Sequence, residues 1–347
     1  MSDFRMNRRE VLAGAAALGL ASAMPRAGAA DSLVATTFPG TFNDAHRAIL
    51  VPAFKKRTGA DVTLTIQLAV DAINKLAAGS GQPPFDVVIL DEGPLLDAVK
   101  QGLIVEYPAE KSPNAKDLLP NFQDRWGPKV TMQVIGIGYN PKRVKTPPKS
   151  WDDLWNPAYK GRVGLTALNS SLGQAFLVEL ARLKGGSESD IEPGFRALRE
   201  LLPNVGAISA NLGAHASLFQ QEQIDISPYN FNFVQTLKGK GVDIDFVVPE
   251  SGPVGWRTSL HIVKNAAKPD LALAYIDTHL APDVQAQLQQ DPYWIIPTNR
   301  NVALHGPIQE KVGKTPADLD KVRFQDWAKI NEQRSAWIER FNREIRL

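Results

Sequence analysis

The chain has 347 residues, with 39 Lys and Arg against 37 Asp and Glu, a formal net charge of +2, and no cysteine. The missing cysteine excludes disulfides, thiol-attached haem and cysteine-ligated iron–sulfur clusters. The near-balanced charge has no basic stripe with interleaved aromatics, so nothing in it marks a nucleic-acid surface.

The first thirty residues read as an export signal. Asn7-Arg8-Arg9-Glu10-Val11-Leu12 resembles the twin-arginine motif, and the apolar run from Val11 to Met24 is too short to span a bilayer. Ala27-Gly28-Ala29 is a small-residue cleavage pattern, which predicts cutting after Ala29 or Ala30 and a periplasmic product. Residues 1–30 hold four arginines against two acids, so the exported chain is close to neutral. It is long enough for two domains.

Beyond the signal, apolar β-rich runs alternate with helical periodicity, which predicts an α/β fold. Leu33–Thr37 reads as a strand, and a helix follows from about Phe42 to Arg57, closed by Thr58-Gly59. Val62–Ile66 is the next strand, Asp71–Ala78 a helix and Gly79–Pro84 a loop. Asp86-Val87-Val88-Ile89-Leu90 has the continuous apolar character of a central parallel strand. Asp91 and Glu92 stand at its carboxyl end, and Gly93-Pro94 opens a helix that ends at Gly102. Val134–Tyr139 is a strand.

Ser150–Leu165 is punctuated like a joint. Thr146-Pro147-Pro148-Lys149 is held extended. Ser150 suits an N-cap, with Asp153 completing a shortened capping box. Trp151, Leu154 and Trp155 form one apolar face, Pro157 stops the turn, and a strand begins at Arg162. Ser170 or Ser171 caps a helix bearing Leu172, Phe176 and Leu180, and Asp190–Leu202 forms another. Val205–Ser209, Ile224–Pro228, Val242–Val248 and Ser259–Val263 read as strands, with a helix near Ala214–Gln221. A helix starts at Pro269, and Leu319–Ile345 is a helical tail with Trp327, Trp337 and Phe341 as docking residues.

Ser150–Leu165 closely resembles a segment of the periplasmic solute-binding proteins of ABC importers, especially the polyamine-binding branch. Four further segments resemble the same family in the same order: Phe54–Val62, Asp86–Leu90 with Gly102-Leu103, Gly136–Asn140, and Ala266–Leu288 with Pro297-Thr298-Asn299. The resemblance implies the type II periplasmic-binding-protein fold, two α/β lobes around a ligand cleft. Lobe one would comprise 31–138 plus 260–347 with the C-terminal helices, and lobe two 139–259. The implied protein is a monomer without cofactor or catalysis, which captures a small-molecule solute and hands it to a membrane permease.

Ligand contacts in such folds lie at the carboxyl ends of strands. Asp91 and Glu92 therefore either face a cationic ligand group or favour the helix that follows them. Phe38 and Phe42 fall where the polyamine branch has aromatic walls, with plain packing as the other reading. Tyr229 and Asn230 follow a strand as a possible platform. Another wall is missing at Met132 and Gln133. Trp256 matches a family tryptophan that packs on ligand. Thr258 stands where the branch has an amine-binding acid, and two further acids are absent around Asn169, Ser170 and Ser171. Burying an unpaired ammonium is costly, so these losses argue for a small amine-bearing or zwitterionic solute rather than a long polyamine. Arg257 could receive a carboxylate or phosphate, unless strand alternation turns it away from Trp256 and Thr258.

Two alternatives stay open: an iron- or anion-binding importer component of related fold, and an exported hydrolase. Against the hydrolase, there is no Gly-x-Ser-x-Gly elbow. Gly313-Lys314-Thr315 lacks the glycine of a phosphate-binding loop, because position 308 is Ile. The histidines His46, His215, His261, His279 and His305 have no metal-ligand spacing.

Overall fold

The apolar runs of the sequence assemble into one hydrogen-bonded sheet flanked by helices. The computed structural model describes residues 32–79 and 81–347; the twin-arginine stretch and both cleavage positions lie outside them. β1 (Ser32–Thr37) leads into α1 (Thr41–Ala45), a π turn (His46–Leu50) and α2 (Val51–Thr58). Next come β2 (Asp61–Ile66), α3 (Ala69–Ala78), β3 (Val87–Asp91), α4 (Glu92–Lys100) and β4 (Lys129–Tyr139). The middle of the chain supplies β5 (Val163–Thr166), α5 (Ser171–Leu183), α6 (Glu192–Leu201), β6 (Val205–Ser209) and α7 (Leu212–Gln220). β7 (Ile226–Asn230), α8 (Phe231–Gly239), β8 (Asp245–Val247) and β9 (Val254–Ile262) follow. The chain closes with α9 (Pro269–Leu280), α10 (Pro282–Leu288), α11 (Gly306–Lys311), β10 (Arg323–Phe324) and α12 (Trp327–Glu344).

The strand order is β2-β1-β3-β9-β4-β7-β5-β6, with β10 beside β9 and β8 beside β4. Pairs at both ends of this path are parallel, β1 with β2 and β3, β5 with β6 and β7. The two long strands in the middle are antiparallel and carry the sheet across the molecule. β9 pairs with β3 through Thr258–Ile262 and with β4 through Val254–Ser259, while β4 continues onto β7 and β8 through Ile135–Tyr139. Every residue of β4 is buried, as expected of a strand covered on both faces. Gly255 is needed at this crossing, since a Cβ there would sit 2.1 Å from the Gln133 carbonyl oxygen.

Several elements differ from the sequence reading. The strands expected at Val134–Tyr139 and Ser259–Val263 begin earlier, at Lys129 and Val254, because they pair with each other. The helix expected from Leu319 starts only at Trp327. A 3-10 turn (Pro316–Lys321) and β10 precede it, and the Arg323 N–H is drawn to the Pro253 carbonyl. Helix α8 is an element beyond the sequence expectation, with Phe231, Val234 and Leu237 as its buried stripe. The Trp151–Trp155 turn is 3-10, and its capping box forms: Ser150 Oγ accepts from the Asp152 N–H, and Asp153 Oδ2 accepts from the Ser150 N–H at 2.9 Å. Trp151 packs on Phe176 with ring centroids 5.2 Å apart.

Candidate functional site

Antiparallel register assembles the candidate site. Asp91 lies opposite Thr258, Gln133 opposite Trp256, and Asn230 opposite Ile135. Opposed residues point to one face and successive residues alternate. Asp91, Thr258, Trp256, Gln133 and Asn230 therefore share a face of the sheet where β3, β9, β4 and β7 meet. Thr258 Oγ1 donates to Asp91 Oδ1 at 2.7 Å, and Asn230 Nδ2 donates to Gln133 Oε1 at 3.2 Å.

Asp91 is the charged member of this group. Burial pushes its pKa up to about 6; the Thr258 hydroxyl opposes the rise, the neighbouring Glu92 charge adds to it, and the Trp256 indole N–H favours the ionised form. No cation pairs with Asp91 among the described residues. Trp256 is only 2 % exposed and meets Trp327 of α12 edge to face, with centroids 6.3 Å apart. The Trp327 indole N–H has no hydrogen-bond partner, and that of Trp256 lies near Asp91 but short of hydrogen-bond geometry.

Glu92 and Arg257 occupy the other face and satisfy each other. The Arg257 backbone N–H donates to Glu92 Oε2 at 3.0 Å, its Nε to Oε1 at 2.8 Å, and Nη2 also bonds Oε1. Arg257 Nη1 donates to the Asn121 carbonyl, and the guanidinium lies 4.4 Å over the Phe324 ring. Arg257 thus turns away from Trp256 and Thr258, as strand alternation requires, and each charge of the pair is met by the other. Lys129, the next cation along β4, is bound to Asp124 at 3.1 Å.

Tyr229 does not join the group. It is fully buried on the opposite face, stacks on Phe219 and packs at a tilt against His215, and its hydroxyl donates to the Leu212 carbonyl. The platform expected there is core, because Tyr229 and Asn230 alternate. Ser170 is spent as the N-cap of α5, accepting from the Gly173 N–H at 3.1 Å. Asn169 is exposed, and Ser171 is the first residue of α5. Phe38 is half-buried and meets the buried Phe42 edge to face at 5.6 Å, beside the α1 start where Thr41 touches Thr236 of α8.

Sequence reasoning missed four residues of this region. Gln133 stands in sequence where the family has an aromatic; only a strand beginning at Lys129 puts it on the Trp256 face. Gln325 Nε2 donates to the Ala175 carbonyl at 2.8 Å, leaving its buried Oε1 unpartnered. Asn331 Nδ2 donates to the Gly93 carbonyl at 2.7 Å and also leaves Oδ1 unpartnered. Asn232 Oδ1, in the first turn of α8, is buried without a partner. No local pattern marks Gln325 or Asn331, which reach the region only through the fold of the C-terminal segment.

His215 and His261 have structural partners. His215 bridges Ser209 and Ser227, and His261 bridges Ser259 and the Trp126 carbonyl. No group of three or more side chains suited to a metal ion occurs among the described residues.

Comparison with known proteins agrees with this architecture. Residues 82–333 match the family model described as bacterial extracellular solute-binding protein. The spermidine/putrescine-binding periplasmic protein of Escherichia coli is 26% identical over 258 residues, covering 70% of this chain and 71% of that protein. The gamma-aminobutyric acid-binding protein of Pseudomonas aeruginosa is 23% identical over 344 residues, covering 93% of this chain and 95% of that one. The crystal structure of an ABC transporter protein from Clostridium perfringens superposes with a TM-score of 0.76 at 23% identity, covering 90% of this chain and 100% of that one. The fold is that of the type II periplasmic binding proteins.

Proposed function

The chain belongs to the bacterial extracellular solute-binding proteins, and we propose that it captures a small amine-bearing or zwitterionic solute for an ABC importer. The observation that carries the ligand class is Asp91: a carboxylate at a strand end, beside Trp256, with no cation paired to it. An ammonium would meet that charge, and the indole would supply an apolar or cation–π surface. The acids needed for a long polyamine are absent, so each further ammonium would be buried unpaired. Relatives named for spermidine/putrescine and for gamma-aminobutyric acid agree with an amine as the common element.

We place the lobe boundaries at 31–138 plus 260–347 and at 139–259, supported by the passage of β4 and β9 through the middle of the sheet. Export through the twin-arginine motif belongs to the same reading; no helix among the described residues is long and apolar enough to cross a membrane. Sequencing the N-terminus of periplasmic material should give a chain starting at Ala30 or Asp31.

A thermal-shift panel of polyamines, amino acids, γ-amino acids, opines, phosphonates and metals tests the ligand class, since binding to the native state raises the melting temperature. Small amines or zwitterions should raise it. Tight spermidine binding with no response to smaller amines or zwitterions would overturn the reading, and an iron or phosphonate response would replace it with the metal- or anion-binding one.

A further inference from the structure

The unpartnered groups around Asp91 differ in charge and in hydrogen-bond sense, and together they limit what the solute can be. Asp91 is the one ionisable side chain of the group. Gln325 Oε1 and Asn331 Oδ1 are acceptors, because the amide nitrogen of each already donates to a backbone carbonyl and a carbonyl only accepts. Trp256 Nε1 and Trp327 Nε1 are neutral donors. The neighbouring cations are each paired with a carboxylate: Arg257 with Glu92 and Lys129 with Asp124, and Arg323, which precedes Gln325 on the Trp256 face, with Glu179 at 2.6 Å through Nη2.

We propose that the solute carries a single positive charge on a donor-rich nitrogen and a neutral hydrogen-bonding group at its other end, an amino alcohol or amino amide rather than a diamine or an amino acid. This rests on the amine reading of Asp91. A second ammonium would find neutral acceptors but no second carboxylate, and burying it would cost more than those acceptors return. A carboxylate would meet neutral indole donors, the backbone N–H groups at the start of α8 and cations already paired with Glu92, Asp124 and Glu179, with no free cation to balance it. A hydroxyl or amide oxygen matches an indole N–H without leaving a charge buried.

The test is calorimetric titration of the purified protein with three four-carbon compounds that differ only at one end: 4-amino-1-butanol, 1,4-diaminobutane and 4-aminobutanoate. The 4-aminobutanoate arm also probes the N-terminus of α8, which has no side-chain cap beside Asn230. The amino alcohol should bind about tenfold or more tightly than either charged-tail compound, and Asp91→Asn, checked for folding by its melting temperature, should abolish that binding. A charged-tail compound binding as tightly as the amino alcohol overturns the single-charge inference and leaves the amine reading standing. Binding of none of the three, or binding indifferent to Asp91→Asn, overturns the amine reading beneath it.

Discussion

Asp91 and Glu92 are neighbours of the same chemistry with opposite fates. Glu92 is consumed by Arg257, while Asp91 keeps only the Thr258 hydroxyl and is raised to about 6 by burial. An amine needs the ionised carboxylate, so its affinity should be constant above about pH 6 and fall by up to about tenfold per unit below it; titrations at pH 5 and 7.5 check this. The raised pKa also means that the fold disfavours the charged form. Asp91 therefore costs stability above its folded pKa and returns it as the pH falls. Asp91→Asn should bind no amine yet melt no lower than the parent at pH 7.5, a functional residue held against stability. Arg257→Ala makes the contrasting case. It leaves the buried Glu92 carboxylate unpaired and should lower unfolding stability by about 2–4 kcal/mol in urea. The affinity of the folded variant should change far less than in Asp91→Asn; a comparable loss would put Arg257 in the site.

At the scale of elements, local chemistry decided where turns begin and long-range pairing decided how far strands run. The capping box at Ser150 depends on residues three apart and was legible for that reason. Ser150→Ala should cost about 1 kcal/mol by urea unfolding, without effect on solute affinity. Gly255 is a different matter, because its Cβ would collide with the Gln133 carbonyl of the paired strand. Gly255→Ala forces β9 from β4 and should destabilise more than Ser150→Ala, while also weakening solute binding, since Trp256 and Gln133 flank the same crossing. Helix α12 links distant parts of the molecule. Near its start Asn331 holds Gly93, and toward its end Arg340 binds Glu192 and stacks over Phe195 at 4.1 Å. Its Trp327, a docking residue on sequence grounds, docks on Trp256.

For the whole molecule, four buried histidines set the acid limit of stability. Burial lowers His215 and His261 to about 3, His279 to about 4, and His46 well below its ordinary value. Each is neutral in the fold and free to take a proton once unfolded, so the unfolded chain binds more protons below its ordinary histidine pKa. Stability should therefore be flat above about pH 7 and fall as the pH drops from about 6.5 toward 4, with Asp91 offsetting a small part. Urea midpoints at pH 7.5, 6 and 5 check it; a midpoint that rises toward pH 5 would contradict it.

The sequence by itself determined the α/β class, the short-range caps and turns, the family, and the solute-binding role that goes with it. The first two rest on periodicity and capping, and the family and its role on the resemblance of contiguous segments, all local properties of the chain. It also contained the alternation argument that turns Arg257 from Trp256, but not the register that settles it. Only the tertiary structure decided which side chains meet. Asp91 was separated from Glu92, Tyr229 went to the core while Asn230 turned to the other face, and Gln133 and Trp327 arrived beside Trp256 from two distant segments. The reason is physical: a strand's period of two fixes which residues share a face, but the partner strand fixes what that face touches. That pairing is long-range in sequence, and it left one carboxylate without a cation.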